Sequence, residues 1–97
     1  MTPIAFTEMN IKRVPSAAGI YALYREGEVI YYGHALGHAT IQSRLKDHIA
    51  GRDSPCTRGA MTFSWEVCSD AGARDAALRT AFERLQKSPP RCNAPVG

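Results

Sequence analysis

Two apolar runs rich in aromatic and branched residues, Gly19 to Tyr24 and Glu28 to Tyr32, flank the polar triplet Arg25-Glu26-Gly27. Such residues favour strands, and a glycine between two such runs is what a tight hairpin turn needs. The segment predicts an antiparallel hairpin. Period two places Tyr21 and Leu23 on one face of the first strand, and Val29 and Tyr31 on one face of its partner. Gly33 is expected to end the second strand, with His34 to Thr40 as a loop. Ahead of the hairpin, Thr7 is placed to cap a short helical turn over Glu8 to Lys12. Phe6 and Ile11 are available there to cover one edge of a core. Pro15 and the small residues after it return the chain to an extended form.

Downstream, Thr40 is positioned to cap a helix from Ile41 to about Ala50, with Ile41, Leu45 and Ile49 as its buried stripe and Gly51 as its stop. Arg52 to Gly59 reads as a polar loop. Met61, Phe63, Trp65 and Val67 then alternate with Thr62, Ser64, Glu66 and Cys68, the pattern of a half-buried strand. Ser69 to Gly72 is a turn in which Asp70 can cap. From about Ala73 to Lys87, the residues Ala77, Leu78, Ala81, Phe82 and Leu85 form one apolar stripe at helical spacing. Pro89-Pro90 ends that helix and Arg91 to Ala94 is a tail. The order is β-β-α-β-α, a small three-stranded, mostly antiparallel α/β domain with no repeats.

The chain has 97 residues, 44% of them apolar and 22% charged, which fits one globular domain over residues 1–97. A chain of this length buries only roughly 60–65% of its unfolded surface, so one modest core is all it can build. The net charge of +3 and a pI of about 9.0 suit an anionic partner without specifying one. Arginine clearly outnumbers lysine, and its planar fork matches phosphate better. Cys56, Cys68 and Cys92 are widely spaced and odd in number, suggesting neither a zinc site nor a disulfide framework. The N-terminal MTPIAFTEMN has neither a basic head nor an apolar run, and no stretch approaches the roughly 20 apolar residues that cross a bilayer. A reduced cytoplasmic setting with no membrane partner is the expectation.

Arg44 and His48 stand four residues apart on the predicted helix, so both side chains project from one face. With Tyr21 and Tyr31 on the hairpin, they compose a set suited to chemistry on a phosphate. Taken singly, each has a plainer reading. A tyrosine at a strand end is usually packing, and His48 is a surface residue near a helix C-terminus that favours cations. Arg44 is a salt-bridge partner for Asp47 or Glu28. His38 reads as a surface residue. Only the joint arrangement points to function.

That arrangement resembles the GIY-YIG nuclease domain. Gly19-Ile20-Tyr21 matches the first motif, and Tyr31-Tyr32-Gly33 matches the second with Tyr32 at the middle position. Arg44-x-x-x-His48 is similar to the family's arginine and the His or Tyr one turn later. Pro90-Arg91-Cys92-Asn93 resembles its Pro-x-x-Asn ending. The likeness spans about residues 15–93. It implies a nuclease that cuts one strand of nucleic acid, DNA in the first reading, with one divalent metal, Mg²⁺ or Mn²⁺. The chain has no room for a recognition domain of its own, so a targeting protein partner is one option for directing it. In that picture Arg44 holds the scissile phosphate and offsets its growing charge. Tyr21 or Tyr31 helps deprotonate the attacking water. A phenol's reference pKa of about 10 makes it a poor base unless nearby cationic charge helps, which Arg44, His48 and the metal would supply. His34 stands where relatives carry a lysine or another polar residue beside the phosphate, and Asn93 orients.

The likeness breaks at the metal. The family's metal-binding glutamate lies about three helical turns before the final Asn, on the face that looks at the sheet. Counting back from Asn93 lands on Ala81. Glu83 is a substitute only if the helix is shorter by about two residues and turned to match, and Asp75 sits at the stripe's edge nearly two turns too early. Without a carboxylate, Mg²⁺ loses its anchoring ligand. Three readings follow: a metal-dependent DNA endonuclease using Glu83, a degenerate GIY-YIG domain that binds nucleic acid or a protein partner without cutting, or a purely structural interaction domain.

Overall fold

The hairpin forms the middle and one edge of an antiparallel sheet. In the computed structural model, which describes residues 2–93, its turn carries φ values of 53° at Glu26 and 80° at Gly27. Two successive left-handed residues make a type I′ turn, whose twist matches that of the flanking strands. Strands β2 (Gly19–Arg25) and β3 (Glu28–Ala35) pair with Leu23 opposite Tyr31 and Tyr21 opposite Gly33. Ala94, the last residue of the expected tail, lies outside the described residues.

Strand β3 thus continues past Gly33, against the expectation that it stops there, and His34 is a strand residue. Gly33 provides room rather than a break. A Cβ at this position would overlap the ring and hydroxyl of Tyr21, which lie directly against it. The first motif's tyrosine and the second motif's glycine are therefore one packing unit. Replacing Gly33 by Ala should lower unfolding free energy by about 1–3 kcal/mol, the usual range for overpacking. Denaturant titration of Gly33→Ala with and without Tyr21→Ala should show the penalty shrinking when the ring is absent.

A bulge at Leu23/Tyr24 leaves Ile30 as an extra residue between the pairings of Val29 and Tyr31. Ile30 enters the core, while Val29 stays half-buried. Strand β4 (Thr62–Val67) pairs antiparallel with β2 on its other side, and β1 (Ile4–Ala5) adds to β4. The order is β1-β4-β2-β3, four strands where three were expected. A two-residue strand carries no periodicity, and only its pairing defines it.

Helices cover both faces. Helix α1 (Glu8–Ile11) starts at Thr7, whose hydroxyl accepts the Asn10 N–H at 3.2 Å. Helix α2 (Ile41–Ile49) opens with Thr40 and Ser43 in a reciprocal capping box and stops at Gly51, φ 76°. The core lies between these helices and the sheet face carrying Tyr21, Leu23 and Phe63. A short helix, α3 (Pro55–Arg58), replaces part of the expected loop, capped by the Ser54 hydroxyl with proline in its first turn.

Helix α4 (Ala71–Gln86) packs over β3 and β2 on the opposite face. Its sheet-facing line runs through the buried Ala71 and Asp75 and the half-buried Leu78, Arg79 and Phe82, while Ala77, Ala81 and Leu85 are exposed. The helix is therefore rotated from the orientation its apolar residues predict. Asp75 and Arg79 occupy the sheet-facing line as a hydrogen-bonded ion pair, which a hydropathy pattern reads as solvent-facing. No helix among the described residues is long and apolar enough to cross a membrane.

Candidate functional site

Tyr21, Tyr31 and His48 meet where α2 crosses the hairpin. The Tyr21 hydroxyl lies 2.8 Å from His48 Nε2, with both side chains nearly inaccessible. The half-buried Tyr31 ring packs beside both, 6.1 Å from Tyr21 and 4.9 Å from His48 between centroids. His48 is therefore not the surface residue its helical position suggests. It shares the inner line of α2 with Ile41 and Leu45.

The hydrogen bonds fix the direction of the proton on His48. Its Nδ1 is 2.8 Å from Thr57 Oγ1, and that hydroxyl lies 3.3 Å from the carbonyl of Ser54. A carbonyl only accepts, so Thr57 donates to Ser54 and receives from Nδ1. Nε2 is then left to accept from the Tyr21 O–H. Asp53, with Oδ2 3.6 Å from Nδ1, favours the same tautomer.

Burial raises the Tyr21 phenol far above its ordinary range, with Tyr31 and Asp53 adding and Arg44 opposing. Tyr31 is raised too, first by burial and then by Asp53, with Arg79 pulling against them. Burial lowers His48, while Asp53 and Asp47 oppose and Arg44 assists. The cluster is thus held neutral, and this has a pH consequence. An unfolded chain protonates His48 near pH 6.5, whereas the folded chain resists until lower pH. The unfolded state then binds more protons, so stability should fall as pH drops below about 6.5. Denaturation midpoints between pH 7.5 and 5 should decline in the parent, and this decline should flatten in His48→Gln.

Arg44 sits one turn before His48 on α2, exposed, and among the described residues it has no carboxylate partner. Its charge nonetheless reaches both Tyr21 and His48. Tyr21, Tyr31 and His48 are in contact, and Arg44 stands one turn away on α2, exposed.

The other three lie elsewhere. His34 projects from the opposite face of β3, its Nδ1 2.6 Å from Asp75 Oδ2. Asn93 pairs with the backbone of Tyr32, accepting its N–H at 2.8 Å and donating to its carbonyl at 3.0 Å. With Cys92 N–H donating to the Ile30 carbonyl, the tail covers the outer edge of β3, an edge that would otherwise invite pairing. Asn93 therefore supports the strand. Glu83 is exposed on the outward side of α4, not beside the cluster.

The sheet-facing carboxylate of α4 is Asp75, only 3% exposed. Arg79 Nε donates to Oδ1 and Nη2 to Oδ2, each at 2.9 Å, and Nη2 also donates to the Tyr32 carbonyl at 3.0 Å. Both oxygens are thus already engaged by N–H donors, and among the described residues no three acidic, His or Cys side chains gather as a metal site. These residues do not fit the divalent cation that the family resemblance implies. Asp75 and Arg79 were legible in principle as an oppositely charged i, i+4 pair. Thr57 had no signal, because α3 itself was missed. Compared with known proteins, the chain matches no family model, no curated sequence and no solved structure.

Proposed function

We propose that the chain is a GIY-YIG-like domain that grips the phosphodiester backbone of nucleic acid and needs no metal to do so. The observation that carries this reading is Arg44: an exposed guanidinium without a carboxylate partner among the described residues, one turn along α2 from His48, which pairs with the buried Tyr21. A guanidinium kept free of carboxylates at a rigid polar cluster is suited to two parallel hydrogen bonds with phosphate oxygens. Tyr31, half-buried beside Tyr21 and His48, offers a protonated hydroxyl as a further donor, because its environment disfavours the phenolate. The net charge of +3 agrees in sign.

The test is fluorescence anisotropy with labelled single- and double-stranded oligonucleotides in EDTA, repeated with Mg²⁺. Binding of equal strength in both supports the proposal, with affinity falling as salt rises. Binding that requires Mg²⁺, or Mg²⁺-dependent nicking of plasmid DNA lost in Glu83→Ala, would replace it with the metal-dependent endonuclease. No binding in either buffer would overturn both.

A further inference from the structure

Asp53 has one ion-pair partner among the described residues, and that partner is a histidine. Its side chain is 41% exposed, its Oδ2 lies 3.6 Å from His48 Nδ1, and no lysine or arginine among the described residues pairs with it. Such a pair attracts only when the imidazole is charged. With Nδ1–H given to Thr57 and Nε2 accepting from Tyr21, His48 is neutral in this arrangement. Asp53 is then an unanswered negative charge. Arg44 stands four residues before His48 on the same helix, a spacing that sets two side chains side by side. A phosphate held by Arg44 therefore feels whatever charge His48 and Asp53 carry between them.

The groups facing His48 can be named element by element. Arg44 and Asp47 share its helix, Asp53 lies in the loop that follows, and α3 contributes the uncharged Thr57. Tyr21 and Tyr31 come from the sheet, with Arg79 and Asp75 acting on Tyr31 from beyond β3. Glu8 and Lys12 of α1 line a separate groove with Lys46, Ile49 and Arg52, on the other flank of α2. Asp47 is already paired with Arg52 at 3.1 Å. Asp53 is thus the carboxylate left for His48 to answer.

We infer that His48 is a proton-operated gate on the phosphate grip: on taking up a proton it pairs with Asp53, and nucleic-acid phosphate is held more tightly. The inference rests on the reading of Arg44 given above, since a gate needs a grip to act on. One proton from water adds at Nε2, and no bond between heavy atoms changes. Nε2 then donates to the Tyr21 oxygen instead of accepting from its hydroxyl. The released Tyr21 O–H becomes available to Tyr31, the half-buried ring beside it. Nδ1–H keeps Thr57 and gains the attraction of Asp53. The charge one turn from Arg44 rises by one, so the opposition that Asp53 offers to an incoming phosphate is cancelled. Burial holds the imidazole below its ordinary value, so the gate operates below about pH 6.5. By reciprocity, phosphate bound at Arg44 favours the proton on His48.

The experiment measures the affinity of the full chain for labelled oligothymidylate in EDTA, at fixed ionic strength, from pH 7.5 to 5.5, with folding checked at each pH. Thymine takes up no proton in that range, so any change belongs to the protein. Parent affinity should rise at least ~5-fold toward pH 5.5, the lower end of couplings between two sites. His34 and His38 titrate too, but both remain in His48→Gln, which should lose most of the gain. Asp53→Asn, an exposed change that stands in if His48→Gln does not fold, should bind ~2- to 5-fold more tightly than the parent at pH 7.5 and gain less on acidification. An NMR titration of the His48 ring should show its pKa raised by bound oligothymidylate in step with the affinity gain, which a merely structural histidine would not show. Binding that depends on Arg44 but varies with pH equally in the parent and both variants, or not at all, would overturn the gate and leave the grip standing. A His48 pKa unmoved by the oligonucleotide would do the same. Absence of binding at every pH would remove the grip and the gate together.

Discussion

Arg44→Ala should weaken nucleic-acid binding by roughly 10- to 100-fold, the effect of losing a charge-assisted hydrogen-bonded contact. The loss should be nearly uniform across sequences, because a phosphate contact carries no base information. It should also flatten the salt dependence: one neutralised phosphate contributes about 0.9 to the slope of log affinity against log salt on duplex DNA. Folding should barely change, within about 0.5 kcal/mol, since Arg44 is exposed and among the described residues holds no partner in place. Arg44→Lys keeps the charge but loses the planar fork, so it should recover the salt slope better than the affinity. Affinity measured at three or more salt concentrations checks all of this at once. An unchanged slope in Arg44→Ala would mean the phosphate lies elsewhere, and the free cation beside the tyrosines would lose its assigned role.

The parts of this site that were legible in the sequence are those whose geometry is set locally. Tyr21 and Tyr31 share a face because strand periodicity and a type I′ turn fix the hairpin register, even with a bulge farther along. Arg44 and His48 share a face because helix geometry does the same. What could not be read was how the helices turn against the sheet. On α2 the apolar residues decide, and Ile41 and Leu45 are buried as expected. On α4 they do not. Alanines tolerate either environment, so Ala77 and Ala81 carried little orienting force, and the bonds from Asp75 to Arg79 and His34 outweighed the modest burial available from Leu85, which is 79% exposed. A buried carboxylate fully paired by half-exposed partners is a case in which polarity and burial part company. The misreading of Glu83, the exposure of Ala81 and the hidden position of Asp75 all follow from that one rotation. Strand β1 and helix α3 were missed for another reason: elements of two and four residues are defined by pairing and capping, not by period.

Reducing the Cys56–Cys92 disulfide should destabilise the domain as much as truncating a fully buried core side chain. The bond was not expected, since three scattered cysteines suggest no framework, yet it spans 36 residues of sequence with the Cα atoms 5.6 Å apart. Closing a loop of that length removes unfolded-state entropy equivalent to about 4 kcal/mol in the chain-entropy model. Each kcal/mol shifts Tm by roughly 4–8 °C in a domain of this size. Cys56→Ser/Cys92→Ser should therefore melt some ~15–30 °C below the oxidised parent, and reductant should move the parent to the same point while leaving the double variant unaffected. Cys68→Ser should be the common background, because a free thiol could otherwise exchange. The consequence should reach the site. Cys56 precedes Thr57, which receives the His48 proton, and Cys92 precedes Asn93, which covers the edge of β3 at Tyr32. One bond thus ties the support behind His48 to the support behind the tyrosine strand. Loss of the bond should weaken nucleic-acid binding at temperatures where the reduced chain is still folded. Reduced and oxidised protein that melt together would mean that the noncovalent contacts of α3 and the tail suffice, and the disulfide would then have no part in holding the site.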